Sequence, residues 1–373
     1  MLNTLPAVAA VRAPRGIVRI NDEQIIGWID WQVDQNTYYH ADTFRVTFVE
    51  DLLPADRNAD WLSSIDEGFV EVFGGYPADP TSFTESDLIS QIYGRIDDID
   101  YDPAARQFIL TGRDLTAAFI DTKTSLQYQN MTSSQIAEKL AAAHGMTAVA
   151  TKTTELVGTY YARDHARMSE ERSEWDLLTY LASNEGFLCY VRGKTLYFHP
   201  RPTDSGDPYV IRWEQPTPER AARQANVEDM QFSRSLTVAK GVVVVVRSWN
   251  TKQKGGFTAS YPSKGKTIQA GKATPFGNSQ IYSFRFPGLT MDQATKKAME
   301  LHREITSHEM KFWARMPADD LLTATATVEV EGTGTKFDQT YYPVSVSKRL
   351  SMAEGYNMTV QAKNHSPESE PSP

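Results

Sequence analysis

Cysteine is almost absent from this chain, which has 373 residues and a single cysteine, Cys189. One cysteine cannot form an internal disulfide, which fits folding in a reducing cytoplasm. Cys189 lies in the apolar run 187–191. We therefore expect it to be a small buried side chain in a strand, with no reactive role.

Long apolar runs and an excess of basic charge are also missing. No segment approaches the roughly 18 consecutive apolar residues of a membrane-spanning helix. Residues 1–15 lack the basic start of a signal peptide and contain two prolines, so we expect an N-terminal arm there. The net charge of −9 argues against a general basic surface for nucleic acid. The composition of 365–373 predicts a disordered tail.

The motifs of common enzyme and cofactor sites are missing as well. Residues 265–267 read Gly-Lys-Thr, but Ser260 stands where a phosphate-binding loop needs glycine. His308 and Glu309 begin like a zinc motif, yet Phe312 occupies the position of the second histidine. The sequence therefore predicts no catalytic residue, no cofactor and no metal site.

Residues 16–114 have the pattern of a β domain. The stretch from 43 to 49 alternates cleanly, with Phe44, Val46 and Phe48 on one face. Other short alternating stretches are separated by turn residues, which is typical of a small barrel or sandwich. We predict a first β-barrel domain over 16–114.

Residues 115–205 have a different pattern, which predicts a small α/β domain. Positions 132–135 read Thr-Ser-Ser-Gln, a capping box that marks the start of a helix. Ile136, Leu140 and Ala143 are expected to form the inward stripe of that helix. A second helix and a β-hairpin are predicted to follow it.

The remainder of the chain predicts a second β domain with an insertion. We assign 206–250 and 320–364 to a second β-barrel domain and 251–319 to the insertion. The valine run 242–246 suits a strand that is buried on both faces. Within the insertion, a basic loop precedes a helix predicted over 290–312. The predicted fold class is therefore α+β, mainly β.

Two β-hairpins of the sequence resemble each other. Tyr93 opens one hairpin and Tyr342 opens the other, and the interval from tyrosine to return strand is nearly the same in both. This similarity is what two copies of one β unit would produce.

Several stretches occur in an order that resembles a known family: "ADTFRVTF", "YGRIDDIDYD", "LTGRDLTAAFIDTK", "SSQIAEKLAAAHGM", "SEWDLLTYLASNEGFLCYVRGKTLYFHP" and "YYPVSVSKRLSMAEGYNMTVQAKN". The chain resembles, over roughly 16–364, the baseplate hub proteins of contractile-tailed bacteriophages, the late control protein D and Mu-type tail hub family. Each stretch alone is a weak signal, and their order and spacing carry the resemblance. Residues 250–290 match no part of it.

The resemblance implies an architecture and a function. It implies two related β-barrel domains with an α/β domain between them, and a homotrimeric ring of six similar units. Such a ring would join a six-fold tail tube to a three-fold central spike, because the symmetry on each side must match. The implied partners are the spike, a tube or tube-initiator protein, baseplate wedge proteins and the tape measure protein, with DNA passing through the channel. The implied location is the virion, after assembly in the bacterial cytoplasm, and the implied protein is not an enzyme.

Eight residues are candidates for contacts with other proteins: Arg113, Asp114, Asp98, Asp100, Lys252, Lys254, Lys264 and Lys266. Asp98 and Asp100 would share one strand face in an acidic stretch that lacks the glycine and the late glutamate of a calcium loop. Arg113 and Asp114 lie where the first domain ends, with Asp114 as the expected N-cap of a short helix. The lysines belong to a basic loop that is either solvated or in contact with an acidic partner.

Other functions compete with the hub interpretation. A related contractile injection system would use a similar hub. A tail-associated cell-wall hydrolase is disfavoured because no nucleophile or metal motif is present. A receptor-binding or carbohydrate-binding tail protein would use exposed aromatic residues, for which the candidates are Trp28, Trp31, Tyr38 and Tyr39. Packing roles explain these aromatic side chains better.

Overall fold

The chain is mainly β and forms two compact units. The computed structural model describes residues 3, 13–37, 39–124, 128, 130–154, 156–157, 172–200, 207–236, 242–250, 255–262, 280–286, 288–306 and 310–364. Strands account for 49% of the described residues and helices for 19%, which confirms the α+β, mainly β class. The first unit comprises 1–207, 316–325 and 345–359, and the second comprises 208–315, 326–344 and 360–373.

The first unit begins with seven strands and one short helix: β1 Arg15–Ile20, β2 Glu23–Gln24, β3 Trp28–Asn36, β4 Thr43–Val49, α1 Ala59–Ser63, β5 Phe69–Gly75, β6 Ile89–Asp102 and β7 Gln107–Asp114. With residues 345–351 they form a sheet in the order β2-β1-β5-β6-β7-β4-β3 and then 345–351. The ends of this path are not hydrogen-bonded to each other in the described part of the chain, so no closed barrel is present there.

The first sheet curls around an apolar interior. Phe44, Val46 and Phe48 point inward as the alternation predicts. The buried Trp31 ring of β3 lies against Gly16 and Gly74, which are paired on β1 and β5. A Cβ atom on Gly74 would meet the Trp31 ring at 2.6 Å, so only glycine allows this approach. Trp31 is thus part of the core.

Among its described residues, the α/β part of the first unit contains three helices and five strands: α2 Thr116–Asp121, β8 Lys123–Thr124, α3 Ser133–Ala143, β9 Thr147–Ala150, β10 Arg172–Ser173, α4 Glu174–Glu185, β11 Phe187–Arg192 and β12 Thr195–Pro200. The predicted capping box at 132–135 is confirmed. The predicted inward stripe of α3 is correct for Ile136 and Leu140 but wrong for Ala143, which is exposed. Ala137 and Ala141 are buried instead, because the stripe is wider than the spacing indicated.

Tyr39 joins the loop between β3 and β4 to the α/β part. Its amide donates to the Cys189 carbonyl oxygen at 3.2 Å, and its hydroxyl donates to the Phe187 carbonyl oxygen at 2.7 Å. Its own carbonyl oxygen accepts from Trp175 Nε1 at 3.0 Å. Cys189 is fully buried on β11, as predicted.

The second unit contains strands from three stretches of the chain: β13 Tyr209–Glu214, β14 Gln224–Ala225, β15 Asp229–Arg234, β16 Val242–Asn250, β17 Gly255–Tyr261, β18 Gln280–Arg285, α5 Met291–Thr306, β19 Met310–Pro317, β20 Val328–Glu331, β21 Thr340–Ser351 and β22 Gly355–Lys363. The unit boundaries fall inside β19, β21 and β22. Strands β14, β13 and β20 form one sheet with 340–344, and β15 pairs with β19.

Strands β17, β16 and β18 form a separate sheet, here called the insertion sheet, with α5 on one face. Val242, Val244 and Val246 point toward α5 and are buried, whereas Val243 and Val245 are only half-buried. The prediction that this strand is buried on both faces is therefore wrong. In the part of the chain that the structure describes, α5 covers one face of this sheet and no helix covers the other.

The predicted helix over 290–312 is correct in its start and wrong in its end. Thr290 and Gln293 form the expected reciprocal hydrogen bonds before α5. The helix ends at Thr306, and Phe312 lies on β19 opposite Phe232. Phe312 there joins a buried aromatic cluster in the second unit that includes Tyr341. This long-range pairing overrides the helical spacing.

Candidate functional surfaces

The outer face of the first sheet is polar over four neighbouring strands. On β3 and β4 the outward residues include Gln32, Asp34 and Arg45, while the residues between them point into the core. A shallow groove on this face is lined by Gln32, Asp34, Thr43, Phe44, Arg45, Asp97, Asp98, Thr111 and Gly112. The alternation of each strand therefore produces a continuous hydrophilic surface opposite the core.

A β-bulge sets the direction of the acidic residues on β6. The register with β7 shifts between Ile96 and Asp98. Beyond the shift, Asp98 pairs with Thr111 and Asp100 pairs with Ile109, so both carboxylates are exposed on the outer face. The sequence prediction that Asp98 and Asp100 share a strand face is confirmed.

Arg113 is satisfied by carboxylates of its own chain. Its Nε and Nη2 donate to the two oxygens of Asp97 at 2.6 and 2.9 Å, and Nη1 donates to Asp121 at 3.2 Å. Arg95 donates to the same two carboxylates. The hydrogen bond from Arg113 lowers the pKa of Asp97 below its usual value. The arrangement fixes the bulge of β6 to β7 and to the end of α2.

Asp114 is buried and does not present its carboxylate to a partner. Its side chain accepts from the Thr116 amide at 3.1 Å, but the residue at the N-cap position of α2 is Leu115. The N-cap prediction is therefore one residue off. Burial raises the pKa of Asp114 well above its usual value, and the charge of Asp42 adds to this effect.

Asp42 forms the other half of a buried carboxyl pair. Its Oδ1 accepts from the Asn36 amide at 2.7 Å. Burial raises its pKa to about 7, although that hydrogen bond and the Arg192 guanidinium act in the opposite direction, and the nearby Asp34 raises it further. Two desolvated carboxyl groups disfavour double ionisation. The pair therefore holds at least one proton below about pH 7.

A second buried polar cluster surrounds Lys348. Its Nζ lies 3.4 Å from Asp320 Oδ1 and donates to Gln91 Oε1 at 3.2 Å. Gln91 Nε2 and the Tyr356 hydroxyl also donate to Asp320 Oδ1, at 2.9 and 2.7 Å. Burial lowers the pKa of Lys348, and the Asp320 charge opposes that shift. The cluster joins strands of the first sheet to the segment 316–325.

Sequence reasoning missed the Lys348 cluster, although one signal was present. Lys348 stands between Val346 and Leu350 on the inward face of β21, where the alternation requires an apolar residue. A lone charge at such a position indicates a buried partner. No signal identified Asp320, since it follows β19 in an irregular segment.

The remaining candidate residues fall into two groups. Lys252, Lys254, Lys264 and Lys266 lie outside the described residues. Among the aromatic candidates for a binding surface, Trp31 is buried and Tyr39 is bonded to the α/β part, while Tyr38 also lies outside the described residues. The predicted packing role therefore holds for Trp31 and Tyr39.

The described residues contain neither a candidate metal cluster nor a helix that could span a membrane. No group of three or more His, Cys, Asp or Glu side chains in this part of the chain has an arrangement that could hold a metal ion. No helix within it combines the length and the apolar character needed to span a membrane.

Comparison with solved structures identifies the fold. A tail protein from Neisseria meningitidis MC58 superposes with a TM-score of 0.69 at 15% identity, covering 96% of this chain and 100% of that one. The 43 kDa tail protein of prophage MuSo2 from Shewanella oneidensis gives 0.65 at 14% identity, with 94% and 98% covered.

A third similar structure comes from a secretion system. It is an E. coli component of the type VI secretion system, itself described as structurally similar to bacteriophage T4 tail proteins. Its TM-score is 0.55 at 12% identity, with 95% of this chain and 79% of that chain covered. No protein-family model and no curated protein sequence matches the chain. The chain thus has a phage-tail-type fold, which type VI secretion proteins share.

Proposed function

We propose that the protein is the structural baseplate hub of a contractile phage tail, of the late control protein D and Mu-type tail hub family. The observation that carries this proposal is the extent of the structural match. Two solved tail proteins align with at least 94% of this chain and at least 98% of their own length. A match of this extent involves the whole arrangement of β, α/β and inserted segments, and not one common domain.

In this proposal three chains form a ring that adapts a six-fold tail tube to a three-fold spike. Each chain supplies two related β domains, over 16–114 and over 206–250 with 320–364, so that three chains present six similar units. The α/β domain over 115–205 lies between the two β domains in sequence, and the insertion over 251–319 interrupts the second one. The ring contacts a central spike, a tube or tube-initiator protein, wedge proteins and the tape measure protein.

The hub acts by binding and not by catalysis. Its location is the virion, after assembly in the bacterial cytoplasm, and DNA passes through the ring without sequence-specific contacts. A net charge of −9 supports this passage, because an acidic protein does not retain a polyanion. The similar solved structures are described as tail proteins, which supports a structural role for this chain.

A hub of a related contractile injection system is the second candidate. The observation that favours it is the match to the E. coli type VI secretion component over 95% of this chain. Neighbouring genes separate the two candidates: genes for capsid and tape measure proteins indicate a phage, whereas genes for secretion effectors indicate an injection system.

Light scattering and electron microscopy of the purified chain test the proposal. We expect particles with three times the chain mass of 41.8 kDa that image as rings, formed by the chain alone or upon addition of the spike protein. A protein that stays monomeric with the spike and degrades peptidoglycan would instead be a tail-associated hydrolase, and the hub proposal would be abandoned.

A further inference from the structure

The insertion sheet has one face that no described residue covers. Helix α5 packs on the other face, where Ala294 and Ala298 contact the buried valines of β16. By alternation, Arg247 and Trp249 of β16 point away from α5. Parallel pairing with β18 places Ile281 and Arg285 on the same outward face.

This outward face exposes two large apolar side chains, one on each side of the arginine pair along the strands. Trp249 is 57% exposed and Ile281 is 54% exposed. The Trp249 ring lies over Gly256 of β17, whose missing side chain leaves the ring flat against the sheet. Exposed aromatic and aliphatic residues on a flat sheet face are characteristic of a protein contact surface.

Two arginines on the same face lack carboxylate partners. Arg247 and Arg285 are directly paired across β16 and β18. Like charges in this position repel each other, so the pair is unfavourable in the isolated chain. No ion pair to either guanidinium exists among the described residues. The face therefore suits a partner that presents two carboxylates beside an apolar side chain.

The same chain carries a surface with that chemistry on β6 and β7. Asp98 and Asp100 are exposed on the outer face, and Ile109 of β7 lies opposite Asp100. Neither carboxylate has an ion-pair partner within the described ranges. Residues two apart on a strand are separated by about 7 Å, and neighbours on adjacent strands by about 5 Å, so two arginines can each reach one aspartate.

We propose that the basic face (Arg247, Trp249, Ile281 and Arg285) binds the acidic strip (Asp98, Asp100 and Ile109) of a second copy of this chain. This rests on the proposed hub function, since it assigns the surfaces through which the chains of the ring contact each other. The contact joins two different surfaces, so the basic face of each chain binds one neighbour and its acidic strip binds the other. Contacts of this kind close into a ring when the rotation between neighbouring chains permits. Arginine and carboxylate then form charge-assisted hydrogen bonds.

Sedimentation velocity over a concentration series tests the contact. The variant Arg247→Glu/Arg285→Glu reverses both charges and should raise the Kd of self-association by about a hundredfold or more. The matched control is Lys296→Glu/Lys311→Glu, which makes the same charge change at exposed positions away from the face. The control should associate like the wild type. Association that is unchanged in the arginine variant overturns the proposal.

A charge exchange shows whether the two surfaces meet. Asp98→Arg/Asp100→Arg should weaken self-association as Arg247→Glu/Arg285→Glu does. The quadruple variant that combines these four substitutions should associate again. The proposed pairing is overturned if the quadruple variant is folded, as measured by circular dichroism, but does not associate. Trp249→Ser tests the apolar part of the contact without changing any charge. It should weaken self-association even in high salt, where exposed ion pairs are screened.

The outcomes separate this contact from the hub function. If rings form and the arginine variant still forms them, the contact is wrong and the hub proposal stands. If the wild type forms no ring even with the spike protein, the hub proposal fails. Wild-type protein that does not self-associate at any concentration overturns the contact in every case.

Discussion

The Nζ atom of Lys348 lies 3.4 Å from Oδ1 of Asp320, and both side chains are almost fully shielded from solvent, with exposed fractions of 1% and 10%. Removing charges from water is costly, and only close pairing with further hydrogen bonds offsets that cost. Gln91 and Tyr356 supply those hydrogen bonds. The pair therefore depends on all four side chains being present.

Asp320→Ala should lower the free energy of unfolding by about 3–5 kcal/mol, because it leaves the Lys348 ammonium buried without its counter-charge. Urea unfolding followed by circular dichroism measures this loss. Glu354→Ala is the control, since it removes an exposed ion pair to Arg349 and should cost less than about 1 kcal/mol. Equal losses in the two variants would contradict a buried ion pair.

The double variant Lys348→Met/Asp320→Leu should recover most of the stability lost in Asp320→Ala, because apolar side chains can replace a buried ion pair. The same urea titration measures the recovery. A double variant that is no more stable than Asp320→Ala would mean that packing, and not charge, determines the effect.

The Asp42–Asp114 pair predicts that the protein is more stable at mildly acidic pH. The folded pKa of Asp42, about 7, exceeds its ordinary value of 3.8. The folded state therefore binds a proton more tightly than the unfolded state, and stability is lost as the pH rises through about 7. We expect the Tm to be lower at pH 8 than at pH 5.5. The charged groups that face the pair are Asp34 and Arg192.

The double variant Asp42→Asn/Asp114→Asn should remove most of this pH dependence, because it leaves no titrating carboxyl group at either position of the pair. The amide oxygen can still accept from the Thr116 amide, so the contact seen at 3.1 Å is kept. Scanning calorimetry at pH 5.5 and pH 8 gives the difference in Tm. An unchanged difference in the variant would exclude the pair as its source.

Arg113→Ala should have a small effect. The ion pairs of Arg113 with Asp97 and Asp121 are partly exposed, and exposed pairs contribute about 0–1 kcal/mol. Its guanidinium is already satisfied within the chain, so self-association measured by sedimentation should not change. Arg106→Ala, which removes another exposed pair, is the control. Loss of association in Arg113→Ala alone would show that Arg113 contacts a neighbouring chain.

Gly74→Ala should destabilise the first unit by about 1–3 kcal/mol, the usual cost of overpacking. Its Cβ would lie 2.6 Å from the Trp31 ring, which is buried and cannot move away. Combining it with Trp31→Phe should give a loss smaller than the sum of the single losses, because the smaller ring makes room. Additive losses in thermal unfolding would mean that the two residues do not clash.

Local sequence signals identified the elements whose stability is local. The alternation of Phe44, Val46 and Phe48 gave the inward face of β4. Capping residues such as Thr132 marked helix starts, because a cap acts within a few residues. The acidic face at Asp98 was also found, since a strand fixes which side chains share a side.

Features that depend on residues distant in the sequence could not be predicted from local sequence signals. Phe312 fits the period of α5, but its pairing with Phe232 places it on a strand. The two-sided burial expected for the valine run failed because the number of covering helices is not encoded in the run itself. The four side chains of the Lys348 cluster come from four separate segments, and no local pattern connects them.

The hydrogen bonds of Tyr39 have a mechanical consequence. Three backbone or side-chain groups of this one residue hold the β3–β4 loop to β11 and α4. A pulling force on the first sheet would load these bonds in parallel, and bonds loaded in parallel resist rupture better than bonds broken one after another. Under tension, the sheet and its α/β part would therefore move together.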